Sequence, residues 1–344
     1  MADDFKFHID HHGSLPRPGE ILEARRRYES GAIDYAELRE LEDENIADLL
    51  NWQWKTRSTV VTDGDWRRQD LRSAVFDHVR GFKETEGLDK HGRARWIADG
   101  ALVADGSLAA DDAKFLVDNS DIAVKVTLPS PAWLAEQCWE PGGPWTNARD
   151  LGEALAEVIH AEIKRCFAVG VKLIQLDNPA YAKHLFGREA SLSLADAIAV
   201  DEAAVTDLGR PDDARVGLCP THRAEGSLNA DAAQRIFRGI PVDRWVLPYC
   251  RGSETEWALF DAVPEGRDVC LGVVDATNPE LEDIETMLGR VDRAVAKVGD
   301  EPLALSPSEG FAPQAGREHL NLEQARRKLN LVEILSRYYW GNEF

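Results

Sequence analysis

Leu303-Ala-Leu-Ser-Pro-Ser-Glu-Gly-Phe-Ala312 joins a short apolar run to a polar cluster broken by proline and glycine. The run has the length and composition of a buried strand. The cluster cannot extend it, because proline removes a ladder donor and glycine favours a change of direction. The same pairing recurs along the chain. Apolar runs at 5–9, 59–62, 122–128, 171–176, 215–218, 245–247 and 269–274 are followed by Asp10-His-His-Gly-Ser14, Asp63-Gly-Asp65, Pro129-Ser-Pro131, Asp177-Asn-Pro179, Cys219-Pro-Thr-His222, Tyr249-Cys-Arg251 and Asp275. With 303–305 the runs number eight, and longer amphipathic stretches separate them. That alternation predicts a parallel sheet covered by helices, and eight strands close a (β/α)8 TIM barrel. Polar residues at every strand end then have a reason, since such barrels bind ligands at the C-terminal face. An open doubly wound sheet would need only one polar crevice.

Apolar spacings of three and four predict helices over 18–29, 34–56, 150–168 (with Asp150 as N-cap), 280–298 and 321–339. The chain reads as a single barrel over 1–344, with an insertion at about 74–113 between strands two and three. Within it, 95–101 and 102–108 read as a hairpin turning at Asp99-Gly100. The loop 138–147, with Pro141-Gly-Gly-Pro144, is a lid candidate.

Composition sets limits on function. Of 344 residues 44% are apolar, enough for a full core, and the net charge is −21. Such acidity argues against binding to nucleic acid or to anionic membranes, which require clustered Lys and Arg. The N-terminus MADDFKFHID lacks a basic and an apolar signal region, and five cysteines show no disulfide-type spacing. The expectation is a cytoplasmic protein with reduced thiols, acting on a small molecule. The aromatic tail 338–344 is expected either to cover the barrel bottom or to pack in a homodimer.

Six strand ends, in order, resemble the catalytic barrel of the cobalamin-independent methionine synthase family, especially its short single-barrel bacterial relatives. They are His11-His-Gly-Ser-Leu-Pro-Arg-Pro18, Val61-Thr-Asp-Gly-Asp-Trp-Arg-Arg68, Lys125-Val-Thr-Leu-Pro-Ser-Pro131, Ile174-Gln-Leu-Asp-Asn-Pro179, Cys270-Leu-Gly-Val-Val-Asp275 and Ser306-Pro-Ser-Glu-Gly-Phe311. The resemblance implies methyl transfer from a folate-type donor to a thiol, with Gly13, Ser14, Asp65 and Asp177 holding an amino-acid substrate. Asn178 stands where the family has glutamate. The resemblance also implies zinc, held by a His-x-Cys pair, a Glu and a Cys. Those positions are Gly217, Cys219, Pro248 and Glu309 here, so three of four ligands are changed.

Two chemistries remain open on the residues. Cys219, His222, Cys250 and Glu309 could form a re-registered zinc site, since zinc accepts sulfur, nitrogen and oxygen donors. Without metal, Asp177, Glu309, His222 and His11 form an acid/base set. Arg17 and Arg68 would then clamp a carboxylated substrate of a lyase or decarboxylase. Alternation along His8-Ile-Asp-His-His12 sends His8 and Asp10 one way and His11 the other. Trp66, Trp133 and Trp139 are expected as stacking faces for a flat ligand. A non-catalytic binder of folate or amino acid is the third reading.

Overall fold

The computed structural model describes residues 7–89 and 92–341. The start of the run at 5–9 and the end of the tail at 338–344 lie outside the described residues. The strands are β1 (Val60–Val61), β2 (Val79–Leu88), β3 (Ala94–Ala104), β4 (Ala123–Pro129), β5 (Leu173–Asp177), β6 (Arg215–Cys219), β7 (Arg244–Pro248), β8 (Asp268–Val274) and β9 (Leu303–Pro307). Seven form one parallel sheet in the order β1-β4-β5-β6-β7-β8-β9. The segment 8–10 closes it. Leu305 N donates to His8 O at 2.8 Å and Asp10 N to Leu305 O at 2.9 Å, while Thr59 N beside β1 donates to Ile9 O at 3.4 Å. With that eighth stave the fold is the expected (β/α)8 barrel.

The barrel interior is polar at its lower end. Lys125 Nζ of β4 donates to Asp10 Oδ1 and to His11 O, both at 2.6 Å. Arg244 of β7 donates to Phe7 O at 2.9 Å and lies 3.5 Å from Asp10 Oδ2. These staves are not sheet neighbours, so the contacts cross the lumen. Below them His8 stacks on Trp340 with ring centroids 4.1 Å apart, and the Trp340 indole donates to Asp300 O. The described part of the tail thus covers the barrel bottom.

Helices pack outside by their apolar stripes. In the last helix, Leu322–Trp340, Val332 and Leu335 are fully buried, and truncating either to alanine costs about 2–5 kcal/mol. In helix Ala148–Ala168 a Cβ on Gly152 would sit 2.9 Å from Val200 Cγ2, so glycine lets helix Leu194–Val205 approach closely. The N-cap of that first helix is Asn147, not Asp150: the Asn147 side chain accepts from Asp150 N at 2.9 Å. Among the described residues no helix is long and apolar enough to cross a membrane.

The insertion does form a hairpin, but with a different turn. β2 pairs with β3 antiparallel, and the chain reverses around Asp89–Arg93, where Asp89 N donates to Arg93 O at 2.8 Å. Asp99-Gly100 instead lies inside β3, opposite the register shift between Arg80 and Phe82. There Gly81 has φ 108°, and a Cβ on it would meet Ala101 O at 2.5 Å. The glycines mark a bulge rather than a turn.

Candidate active site

A cavity of about 1150 Å³ opens at the C-terminal ends of the barrel strands, beneath the hairpin. Each wall is fixed by local structure. Asp177 ends β5 because Asn178-Pro179 cannot continue the strand, and Asn178 is buried behind it. The Asn178 amide donates to Asp201 at 2.8 Å, and the same carboxylate takes Ser130 Oγ at 2.6 Å and Ala132 N at 3.1 Å. Asp201 therefore latches the ends of β4 and β5 together. On β6, Cys219-Pro220-Thr221 turns the chain so that His222 folds back over the strand end, with the thiol directed at Thr221 O, 3.5 Å away.

Four side chains meet here. One donor atom from each of His12, Asp177, Cys219 and His222 lies within 4.8 Å of the others. His222 Nε2 is 3.4 Å from Asp177 Oδ2, and His222 Nδ1 is 4.0 Å from Glu309 Oε2. The His12 and His222 rings meet edge to face at 5.5 Å. Gln175 Nε2 donates to Asp177 Oδ1 at 2.7 Å and lies 3.3 Å from His12 Nδ1.

Electrostatics separate the two imidazoles. Burial holds His12 down to about 3, so it is neutral. For His222 burial acts downward too, but Cys219 and then Asp177 outweigh it and hold the ring well above its ordinary value. Burial would raise Asp177, yet its contacts with His222, His12 and Gln175 keep it low. Burial pushes the Cys219 thiol up. In the same cavity Asp65 is pushed up to about 6 by burial, against the pull of Arg68. Its φ of 56° places it in the left-handed region, which aspartate tolerates in the Asp63-Gly64-Asp65 turn.

The structure sorts the expected residues into two sets. Ser14, Arg17, Asp65, Asp177, His222, Glu309 and Trp133 line the cavity. Cys219 lies against it through the four-residue cluster. Others stand one layer back. His11 turns away, its Nε2 3.1 Å from Gln53 Oε1. Trp66 donates its indole N–H to Leu15 O, and Trp139 donates to Trp145 O. Gly13, at φ 110°, packs so that a Cβ would come 2.8 Å from Thr127 Oγ1. Cys250 is surrounded by Glu256, Asp275 and Ser308 and takes no part in the four-residue cluster.

The arginine clamps need correction. Arg17 donates to the carbonyls of Asp65 and Arg68 at 2.7 and 2.8 Å, and Arg68 donates to Asp65 Oδ1 and Thr127 O. Both guanidinium groups brace the wall, Arg68 outside the cavity lining and Arg17 within it with its Nε left without a partner. Of the two histidines the sequence places near the mouth beside His222, His12 lines the cavity and His11 does not. Trp96 in the lining and Gln175 behind Asp177 are not among the expected residues.

Polar groups concentrated in a cavity at the strand C-termini place the candidate site where barrels of this kind bind their ligands. Residues 145–332, more than half of the chain, match the family described as the cobalamin-independent synthase catalytic domain, and the chain belongs to that family. It is 28% identical to the uncharacterised protein YxjH of Bacillus subtilis, over 97% of this chain and 95% of that one. It is also 28% identical to a methionine synthase of Sulfurisphaera tokodaii, over 50% of this chain and 52% of that one. Among solved structures, a candidate vitamin-B12-independent methionine synthase from Listeria monocytogenes superposes with TM-score 0.79 at 22% identity, over 98% and 99% of the two chains. A B12-independent methionine synthase from Shewanella sp. W3-18-1, in complex with selenomethionine, gives 0.76 at 19%, over 97% of each. The zinc set implied by the family does not fit this chain: Gly217 and Pro248 end or line strands β6 and β7 without any donor atom.

Proposed function

We propose that the protein transfers an alkyl group, in the simplest case methyl, to or from the sulfur of a small amino-acid substrate bound in the barrel mouth. The observation that carries this reading is that one cavity gathers Asp65 and Ser14 together with the cluster of His12, Asp177, Cys219 and His222. A buried carboxylate and a hydroxyl suit an ammonium group. Within the cluster a cationic centre at His222 favours a thiolate over a thiol, and the thiolate is the reactive nucleophile. In the forward step a C–S bond forms as the methyl–donor bond breaks; the thiol proton leaves to solvent, and the donor atom keeps the bonding pair and takes up a proton. Trp96, on the hairpin strand β3, and Trp133 both line the cavity and offer flat faces to the methyl donor.

The lyase reading, with Arg17 and Arg68 as clamps, loses its anion-binding groups to backbone carbonyls and is not favoured. A single-turnover assay tests alkyl transfer. A labelled methyl group supplied on a folate-type donor should appear on homocysteine, and unlabelled methionine should compete. Folded protein that yields no S-methyl product from homocysteine or from related thiols would overturn the reading.

A further inference from the structure

Beside the four-residue cluster, His12 Nε2 and Gln175 Oε1 are buried without a hydrogen-bond partner, and His222 Nε2 has only the 3.4 Å contact with Asp177 Oδ2. His12 is 5% exposed, so its orphaned nitrogen is sealed from bulk water. A buried group without a partner costs about 1–3 kcal/mol, and two such atoms beside a cluster of metal-type donors point to a missing ligand. The neighbouring donors are a thiol, two imidazoles and a carboxylate.

We infer that His12, Asp177, Cys219 and His222 form a site for a divalent, borderline-soft metal ion of the zinc type, in a ligand set built by this chain's own residues. One thiolate and two imidazoles select against Mg2+ and Ca2+, which take oxygen ligands. Metal bonds of about 2.0–2.3 Å would draw the donor atoms to within about 4 Å of each other, a short closure from the present 4.8 Å spread. Cys219 loses its proton to solvent on binding, and both histidines bind as neutral rings.

The surroundings supply what metal-bound histidines need. A ring that binds through Nε2 carries its proton on Nδ1 and donates it to an orienting acceptor. For His222 that acceptor is Glu309, 4.0 Å from Nδ1. For His12 it is Gln175. Its amide now presents nitrogen to Asp177 and to His12 Nδ1 while its oxygen is orphaned. Drawing Asp177 onto the ion frees that amide to flip, so that Oε1 accepts from His12 Nδ1–H. Glu309 is thus a support behind His222, outside the ligand set. The inference deepens the alkyl-transfer reading, because the charge of the ion would take the place of a protonated His222 as the cationic centre that the substrate sulfur meets, and it rests on that reading only for its catalytic meaning.

The full-length chain, stripped with chelator and titrated with Co2+ and then Zn2+, tests it without turnover. One ion per chain should bind, with a thiolate-to-cobalt charge-transfer band that Cys219→Ser abolishes. His12→Ala and His222→Ala should each weaken binding at least tenfold, and Gln175→Leu about 10–100-fold. Glu309→Gln, which keeps an acceptor for His222, should stay within a few-fold. Circular dichroism and thermal melting of each variant check folding, with His12→Gln and His222→Gln as replacements for any that fails. No binding at micromolar Co2+ would overturn the inference. So would binding that survives the loss of both histidines, or binding that needs the Glu309 carboxylate. A protein that binds the ion yet fails the methyl assay would sink the alkyl-transfer reading alone.

Discussion

The two ends of the barrel lumen are built from the same residue types to opposite effect. At the floor, one carboxylate is shared by two cations: Asp10 takes Lys125 at 2.6 Å and faces Arg244 at 3.5 Å, and Lys125 is 1% exposed. At the mouth, two carboxylates, a thiol and two imidazoles gather beside open volume, and His12 Nε2 is left without a partner. A floor of this kind closes the barrel by balancing charge internally. The mouth keeps its donors available, as a site that must accept an outside group requires.

The comparison breaks first at the floor. Lys125→Met leaves Asp10 buried with the His11 backbone N–H and the longer Arg244 contact, and should cost about 3–5 kcal/mol in urea unfolding. The double variant Asp10→Leu with Lys125→Met should recover part of that loss, because the buried carboxylate goes with the ammonium and Arg244 keeps Phe7 O and, at 4.0 Å, Asp268. A loss under 1 kcal/mol for the single variant would show that the floor is not held by charge. Next is the latch between the regions. Asp201→Ala removes the shared acceptor of Ser130, Ala132 and Asn178 and should cost about 2–3 kcal/mol, with ligand affinity falling as Asp177 loosens.

At the mouth, titration of Asp65 governs an ammonium ligand. Burial raises this carboxyl to about 6, so it is largely neutral at pH 5 and charged at pH 7. Affinity for an ammonium-bearing ligand should therefore rise about tenfold per pH unit up to pH 6 and level off above it. Asp65→Asn should flatten this dependence, and calorimetry across pH 5–8 measures it. The smallest effect belongs to His11, which stands behind the mouth. His11→Ala should cost about 1 kcal/mol through its Gln53 contact and leave ligand affinity unchanged.

How much of this was legible follows from which interactions are local. Strands buried on both faces read as apolar runs, and the polar ends that follow them mark one face of the barrel, so seven runs and the closing segment emerge within a residue or two. The hairpin turn was misplaced because Asp99-Gly100 has turn composition but serves as a bulge, a distinction set by pairing with Gly81. At the site, Asp177, His222 and Glu309 were legible as strand-end polar residues. His12 was legible as a mouth residue but not as a member of the cluster, and Gln175 not at all, since their contact spans 163 residues and neither forms a motif alone. The catalytic role expected of His11 goes against the alternation through Asp10, which favours His12. Asn178 carried the opposite ambiguity: it stands where the resemblance expects a glutamate, and the structure uses it to hold Asp201.

The account rests on a mouth that holds an amino-acid sulfur compound by its ammonium group and its thiolate. Calorimetric binding of L-homocysteine and of its desamino analogue, in wild type and in Asp65→Asn, tests this most directly. The account predicts that the amino acid binds wild type at least about 30-fold more tightly than the analogue, and that Asp65→Asn removes most of that difference. Equal binding of the two compounds, or a preference unchanged by Asp65→Asn, would contradict it.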